Sequence, residues 1–345
     1  MAALRHHGAG GPECAIIVVN WNGRDVLPAC LGSLDRNLPD GVPVVLVDNA
    51  STDGSQGIAR DYPRVRTVQR KTNGGFAVAV NDGIRATDAE FVLLVNNDAV
   101  VEPGWLEAML APLVSEGGSD IGAVTGRVLL DGLFVRADDP PWPDDLTDLA
   151  GIRWRRVAEG GVGTRRINST GNEVTRSGNG RDRDWLRDDD GRPAAAEVFG
   201  FNGGAAALRR AAIDDVGGLE ESFFLYYEDT ELSWRLRRRG WRVVHAHGAV
   251  TVHRHATSAG TASRLFRVEN VANRLRTALR HAPWPVVARA WIRSLGRIVR
   301  GGGAWQLAGV IRAMRSVPTD LRRRRAVERT ATLRRRDVAS WAVPD

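Results

Sequence analysis

Three polar residues, Asn96-Asn97-Asp98, close an unbroken apolar run from Phe91 to Val95. A carboxylate beside neutral oxygen donors at a strand end suits a hard divalent cation that also holds a substrate's phosphates. The same residues could instead cap a helix that Pro103 and Trp105 introduce. A second acidic pair, Glu228-Asp229, follows the aromatic run Phe223 to Tyr227 and opens a helix with Leu232 and Leu236 on one face. The helix dipole keeps a carboxylate there ionised, as a general base for a hydroxyl must be. Helix capping alone is the alternative. His253 follows the apolar run Ala249 to Val252, and His245, His247 and His255 lie close to it in sequence. Parallel strands bring their carboxyl ends to one edge, so His253 could face Asp98 and share a cation with it. Otherwise His253 packs or hydrogen-bonds near its strand end. Imidazole, carboxylate and phosphate oxygen together suit manganese at least as well as magnesium. Gly74-Gly75 could let a phosphate approach the backbone, or could simply turn the chain into a helix.

Positioning these groups requires a sheet. Ala15 to Val19, Val42 to Val47 and Val65 to Val68 read as strands, and Phe91 to Val95 as a buried one. Helical spacing lies between them, at Val26 to Leu34 and Ala77 to Ala86. Alternating strands and helices predict a Rossmann-like, mostly parallel sheet flanked by helices, with polar loops on one edge. Ile121 to Gly126, Trp241 to Val244 and Ala249 to Val252 add strands, and Val198 to Leu208 reads as a glycine-interrupted one. Small residues there let a backbone or a ligand come close. Residues 131–192 read as long loops with one hairpin, where Trp142, Trp154 and Trp185 either line a groove or anchor the loops. No Gly-x-Gly-x-x-Gly follows the first strand and no Walker loop is present, which argues against a dinucleotide site or a P-loop NTPase.

The chain of 345 residues carries a net charge of +7. Residues 264–345 hold 19 arginines against 5 acids, about +14, which leaves about −7 on residues 1–263. Broken apolar stripes with tryptophan run among those arginines, as in basic helices that lie on an anionic membrane. Nucleic acid is the competing acidic partner and ranks below the membrane. Packing on the preceding domain is a third reading. Two cysteines, Cys14 and Cys30, exclude a disulfide framework and point to a reducing compartment. Residues 1–12 lack the apolar stretch of a secretory signal, and no apolar run is long enough to span a bilayer. The expected location is cytoplasmic, peripheral on the inner face of the cell membrane. The expected units are residues 14–263, catalytic, and 264–345, a basic helical tail.

Five motifs line up in order: Val18-Val19-Asn20-Trp21-Asn22, then Val47-Asp48-Asn49-Ala50-Ser51-Thr52-Asp53-Gly54-Ser55, then Asn73-Gly74-Gly75-Phe76, then Asn96-Asn97-Asp98, then Tyr227-Glu228-Asp229. This series resembles the family 2 glycosyltransferases, in particular their bacterial rhamnosyltransferase-like branch, over roughly residues 14 to 260. The resemblance implies a GT-A fold, a nucleotide-sugar donor and a divalent metal, Mn2+ or Mg2+. It implies that Asn20, Asp48 and Asn49 hold base and ribose, and that Asn73, Gly74 and Asn97 lie near the nucleotide. Asp98 matches the last acid of the family's Asp-x-Asp motif, with Asn96 standing where the first acid usually stands. His253 matches a metal-binding histidine of relatives, and Asp229 matches the catalytic base. The function implied is inverting transfer of a sugar, L-rhamnose first, to a lipid-linked or polysaccharide acceptor in cell-envelope glycan synthesis. A non-catalytic nucleotide-sugar-binding subunit and a nucleotidyltransferase are the alternatives. The first would lack turnover; the second usually has a basic glycine-rich loop after the first strand, and Trp21-Asn22-Gly23 is not one.

Overall fold

The computed structural model describes residues 14–192, 196–254, 263–301 and 303–345. The reading of the N-terminal residues 1–12, and His255, lie outside them. The first half follows the alternating pattern: β1 (Cys14–Asn20), α1 (Leu27–Asn37), β2 (Val44–Asp48), β3 (Val65–Gln69), α2 (Phe76–Arg85) and β4 (Phe91–Asn96). A short β5 (Ala99–Val101) precedes α3 (Trp105–Val114), and β6 (Ile121–Leu130) is long. The order in the main sheet is β3-β2-β1-β4, then a strand β13 (Ala205–Arg209), β6, a strand β14 (Arg242–His253) and β5. β1 to β4 are mutually parallel, and β14 runs parallel to β6, whereas β13 and β5 are antiparallel to their neighbours. The sheet is therefore mixed at its centre. Strands buried on both faces explain the unbroken apolar runs. Helices α1 and α3 cover one face through Leu27, Leu31, Leu34, Trp105 and Met109. Helices α2, α4 (Arg210–Val216) and α5 (Glu228–Arg238) cover the other through Val80, Ile84, Ile213, Leu232 and Leu236.

Three readings change. Trp241 to Val252 is one strand, not two: β14 runs on through a register shift between Ala246 and Val250. Val198 to Leu208 is regular only from Ala205, because Asn202-Gly203-Gly204 leaves the ladder. Residues 131–192 are more ordered than long loops: β7 (Phe134–Arg136), β8 (Leu146–Thr147) and β9 (Arg153–Arg156) form a small sheet. β10 (Ile167–Ser169) then joins β6, and β11 (Asn172–Val174) pairs with β12 (Gly180–Asp182) as a hairpin. Short strands rich in arginine and aspartate lack apolar alternation, so periodicity does not mark them.

The tail forms α6 (Arg264–His281), α7 (Trp284–Val299), α8 (Ala304–Thr330) and α9 (Arg335–Ala339). Its arginines are not all a surface stripe. Arg274, Arg276, Arg280 and Arg324 are buried. Arg276 and Arg280 meet the fully buried Asp320 at 3.2 and 2.6 Å, and Arg280 reaches Glu220 at 2.8 Å. His281 bonds Glu231 of α5 at 2.9 Å. A guanidinium is buried only where carboxylates and carbonyls replace its water. Asp320→Ala would leave the buried Arg276 without a carboxylate and Arg280 with Glu220 and Glu231 only, and is expected to cost about 3–5 kcal/mol. A denaturant midpoint read by fluorescence measures it, and a change under about 1 kcal/mol would remove this network from the account of tail docking.

Candidate active site

The candidate residues converge on a cleft of about 600 Å³ at the carboxyl ends of β1 and β4. At one end Asn49 closes β2. Its Nδ2 donates to Asn73 Oδ1 at 2.8 Å, and its Oδ1 accepts the Gly74 N–H at 3.0 Å. Gly75 has φ +87°, and a Cβ there would stand 2.2 Å from the Phe224 carbonyl. That carbonyl accepts the Phe76 N–H at 2.9 Å, so only glycine lets the segment before α5 close on α2.

Asn20 and Asp48 are fully buried. Asn20 Nδ2 donates to Asp48 Oδ1 at 3.0 Å and to Ser55 Oγ at 2.8 Å, while its Oδ1 accepts Asn97 Nδ2 at 2.9 Å. They therefore tie three strand ends together beneath the cleft. Asn49, Asn73, Asn97 and Asp98 reach its wall; Asn20, Asp48 and Gly74 do not.

Asp98 and His253 meet directly, Oδ1 to Nε2 at 3.0 Å. The reason differs from the expected parallel edge. β14 pairs with the short antiparallel β5, setting His253 opposite Ala99, and the Arg254 N–H bonds the Asp98 carbonyl at 3.0 Å. His253 Nδ1 lies 2.7 Å from Asn168 Oδ1. An amide oxygen only accepts, so Nδ1 carries the proton and Nε2 turns toward the carboxylate. Two electron-rich atoms at 3.0 Å require a proton or a cation between them, and this donor pair fits a divalent ion. Among the described residues no group of three or more His, Cys, Asp or Glu could hold a metal ion. Two protein ligands completed by phosphate oxygens and water are the usual pattern for magnesium at substrate phosphates.

Asp229 stands on another wall of the cleft, at the start of α5. Its Oδ2 accepts the Gly203 N–H at 3.0 Å, and its Oδ1 accepts the Thr230 N–H at 2.6 Å. Burial raises its pKa above the ordinary carboxylate value against these bonds, which lower it. The turn before it holds Tyr226 and Tyr227 at φ +67° and +71°. Non-glycine residues hold that conformation only when their surroundings impose it. Here Asn273 of α6 donates to the carbonyls of Leu225 and Tyr226 at 3.0 Å, and the Tyr227 hydroxyl bonds Gly180. Leu265 and Phe266 of α6 also line the cleft, so the tail supplies part of its wall.

Glu228, the other acid of the pair that opens α5, is buried with Oε2 unpartnered among the described residues, and burial plus the Asp229 charge push its carboxyl up to about 8. Other wall residues carry no sequence signature. Asn168, Asn172 and Asp182 come from the region read as loops. Asn202-Gly203-Gly204 does line the cleft, as its small residues indicated. The three tryptophans do not. Trp154 lies under Arg166 at 3.3 Å and donates to Asp148 at 2.9 Å, Trp185 donates to the Thr147 carbonyl at 2.9 Å, and Trp142 is exposed.

A model of the family described as Glycosyl transferase family 2 matches residues 15–217, and one of Glycosyl transferase family group 2 matches residues 162–292. The chain is 28% identical over 297 residues to the N-acetylglucosaminyl-diphospho-decaprenol L-rhamnosyltransferase of Mycobacterium tuberculosis, covering 78% of this chain and 85% of that one. Its fold is similar to the mannosyltransferase PcManGT from Pyrobaculum calidifontis, solved with GDP-Man and Mn2+, at a TM-score of 0.53 and 18% identity, covering 96% of this chain and 79% of the other. Residues 1–349 of S. aureus TarS with UDP-GlcNAc superpose at a TM-score of 0.51 and 15% identity, covering 93% and 84%. The curled, mostly parallel sheet between helix layers is thus the GT-A fold. The family match spans more than half of the chain, and the chain belongs to glycosyl transferase family 2, resembling its rhamnosyltransferase-like branch.

Proposed function

We propose that this glycosyltransferase moves a sugar, L-rhamnose from dTDP-rhamnose as first choice, onto a hydroxyl of a lipid-linked saccharide or polysaccharide acceptor, with inversion. The observation that carries this reading is one cleft lined by both the Asp98–His253 pair and Asp229. The similarity to a transferase named for a decaprenol-linked acceptor supports the choice of sugar and acceptor. Asn49 and Asn73 hold the nucleoside end, with Asn97 beside them. Asn20, Asp48 and Gly74 set the floor on which those side chains stand. Asp98 and His253 are the groups that would hold Mn2+ or Mg2+, which supplies positive charge to the leaving diphosphate. Asp229 takes the proton of the acceptor hydroxyl as that oxygen attacks the anomeric carbon from the face opposite the leaving group. A single displacement of this kind inverts the centre and needs no carboxylate nucleophile. Residues 14–263 supply the donor and base groups, and 264–345 supply the roof and a docking surface.

Purified protein incubated with a panel of nucleotide sugars, an acceptor glycolipid and manganese tests this, with released nucleoside diphosphate as readout. Release with no member of the panel would overturn the transferase assignment for these donors and favour a binding subunit.

Among the described residues no helix is long and apolar enough to cross a membrane. The outer faces of α7 and α8 nevertheless expose Ile292, Leu295, Val299, Leu307, Ile311 and Met314. Arg293, Arg297 and Arg315 are exposed on the same two helices, and Arg300, which caps α7, is exposed beside them. Apolar stripes flanked by cations suit an anionic lipid surface, at about 1 kcal/mol per basic residue. In flotation, the protein is expected to rise with anionic vesicles, to lose them in high salt, and to lose them on Ile292→Glu with Val299→Glu. Equal binding to neutral and anionic vesicles, or none to either, would refute the docking. Tight salt-sensitive DNA binding would transfer the surface to nucleic acid.

A further inference from the structure

The roles above leave two cleft carboxylates unused, Glu228 beside Asp229 in sequence and Asp182 far from it. Asp182 ends the β11–β12 hairpin and lines the cleft. Asn202 Nδ2 donates to its Oδ1 at 2.8 Å, and the Ser169 hydroxyl bonds it as well. Both partners lead to functional groups. Ser169 follows Asn168, which orients His253. Asn202 precedes Gly203, whose N–H holds Asp229, and Asn202 Oδ1 accepts the N–H of Gly204, whose carbonyl accepts the Asn96 N–H at 3.0 Å. Asp182 is therefore fixed between the Asp98–His253 pair and Asp229. No arginine, lysine or histidine pairs with it within 4.0 Å among the described residues; its neighbour Arg181 pairs with Glu173. Burial and the Asp229 charge push its carboxyl up to about 6.

A half-buried carboxylate with only neutral donors is costly to desolvate when a ligand fills the cleft, unless that ligand bonds it. A phosphate would be repelled. A ring of hydroxyls would not: each donates, and an ionised carboxylate only accepts. The space between cation site and base is where a donor sugar must lie if the transferase reading holds. On that reading, we propose that Asp182 accepts hydrogen bonds from ring hydroxyls of the donor sugar and sets which sugar is used. A site built around such a bond rejects an analogue that lacks the hydroxyl.

The test pairs Asp182→Asn with sugars lacking one hydroxyl. The asparagine keeps the volume and an oxygen for Asn202 or Ser169. The probes are dTDP-L-rhamnose, or whichever donor the panel shows to be turned over, and its monodeoxy analogues. With the full sugar, kcat/KM is expected to fall about 10- to 100-fold, the range of one hydrogen bond to a charged group. With one particular deoxy analogue, the variant and the parent enzyme should agree within a few-fold, because the bond is already missing. Binding of free nucleoside diphosphate with manganese should not change. Equal losses on every analogue would make Asp182 a base or a structural residue and overturn the proposal. So would unchanged activity, or weakened binding of the free diphosphate. If the parent enzyme turns over no nucleotide sugar, the transferase reading itself falls and this proposal falls with it; turnover without coupling to one hydroxyl sinks Asp182 alone.

Discussion

Asp229→Asn is expected to cut turnover about 10²- to 10⁴-fold while donor binding stays nearly intact, the range typical of a lost general base. Asparagine preserves size and one accepting oxygen, so a backbone N–H from Gly203 or Thr230 can still be met. What it cannot do is take a proton. The pH profile adds a second readout. Burial raises Asp229, so its proton is gained at a higher pH than for an exposed aspartate. A protonated base is inactive. Turnover therefore falls as pH drops through that raised value, and the acidic limb should lie above the ordinary carboxylate range. The variant's residual activity should lack this limb. Activity within a few-fold of the parent would leave Asp229 as a helix cap only.

His253→Ala is expected to weaken manganese-dependent binding of a nucleoside diphosphate and to leave metal-free binding unchanged. The motive is the 3.0 Å approach of Nε2 to Asp98, with Nδ1 fixed by Asn168. Loss of an outer-shell partner typically costs about 10- to 100-fold in metal affinity. Asn168→Ala should fall in that range, and His253→Ala, which would remove a proposed ligand, should exceed it. Calorimetric titrations with and without manganese separate the outcomes. If His253→Ala binds nucleotide and metal like the parent, His253 is a packing residue and Asp98 holds the cation with phosphates and water.

How far the sequence carried depends on what each contact looks like in one dimension. β1, β2 and β4 were legible because both of their faces are buried, which writes a continuous apolar run, whereas β3, half-buried to exposed, shows only Val65 and Val68. Asp98 and Asp229 were legible because they end or begin such elements. Their partners were not. Asn168, Asn172 and Asp182 sit on strands of three residues, too short to show alternation. β5 was hidden for the same reason, and with it the antiparallel pairing that sets His253 beside Asp98. The arginine-rich tail was legible as helix but not as packing. Arg280 and Arg300 look alike in sequence, yet one is buried against Asp320 and Glu220 and the other is exposed. Burial of a charge is decided by a distant carboxylate, and no local pattern records that.

The hairpin that carries Asp182 has its last partners far downstream. Val343 bonds the backbone of Val174 and Arg176, and Asp345 reaches Ser177 and Arg293. Val338 of α9 packs on Val174, Phe199 and Trp234. Chains emerge from the ribosome amino end first, and contacts of long sequence separation form late. Strands β1 to β4, at one end of the cleft, lie within residues 14–96 and can pair early. The hairpin is fastened only once residues 338–345 are made. During synthesis the β1–β4 end of the cleft can therefore form before the hairpin is fastened. A nascent chain halted before α9 would have every strand of the main sheet but an unfastened hairpin beside Asp229.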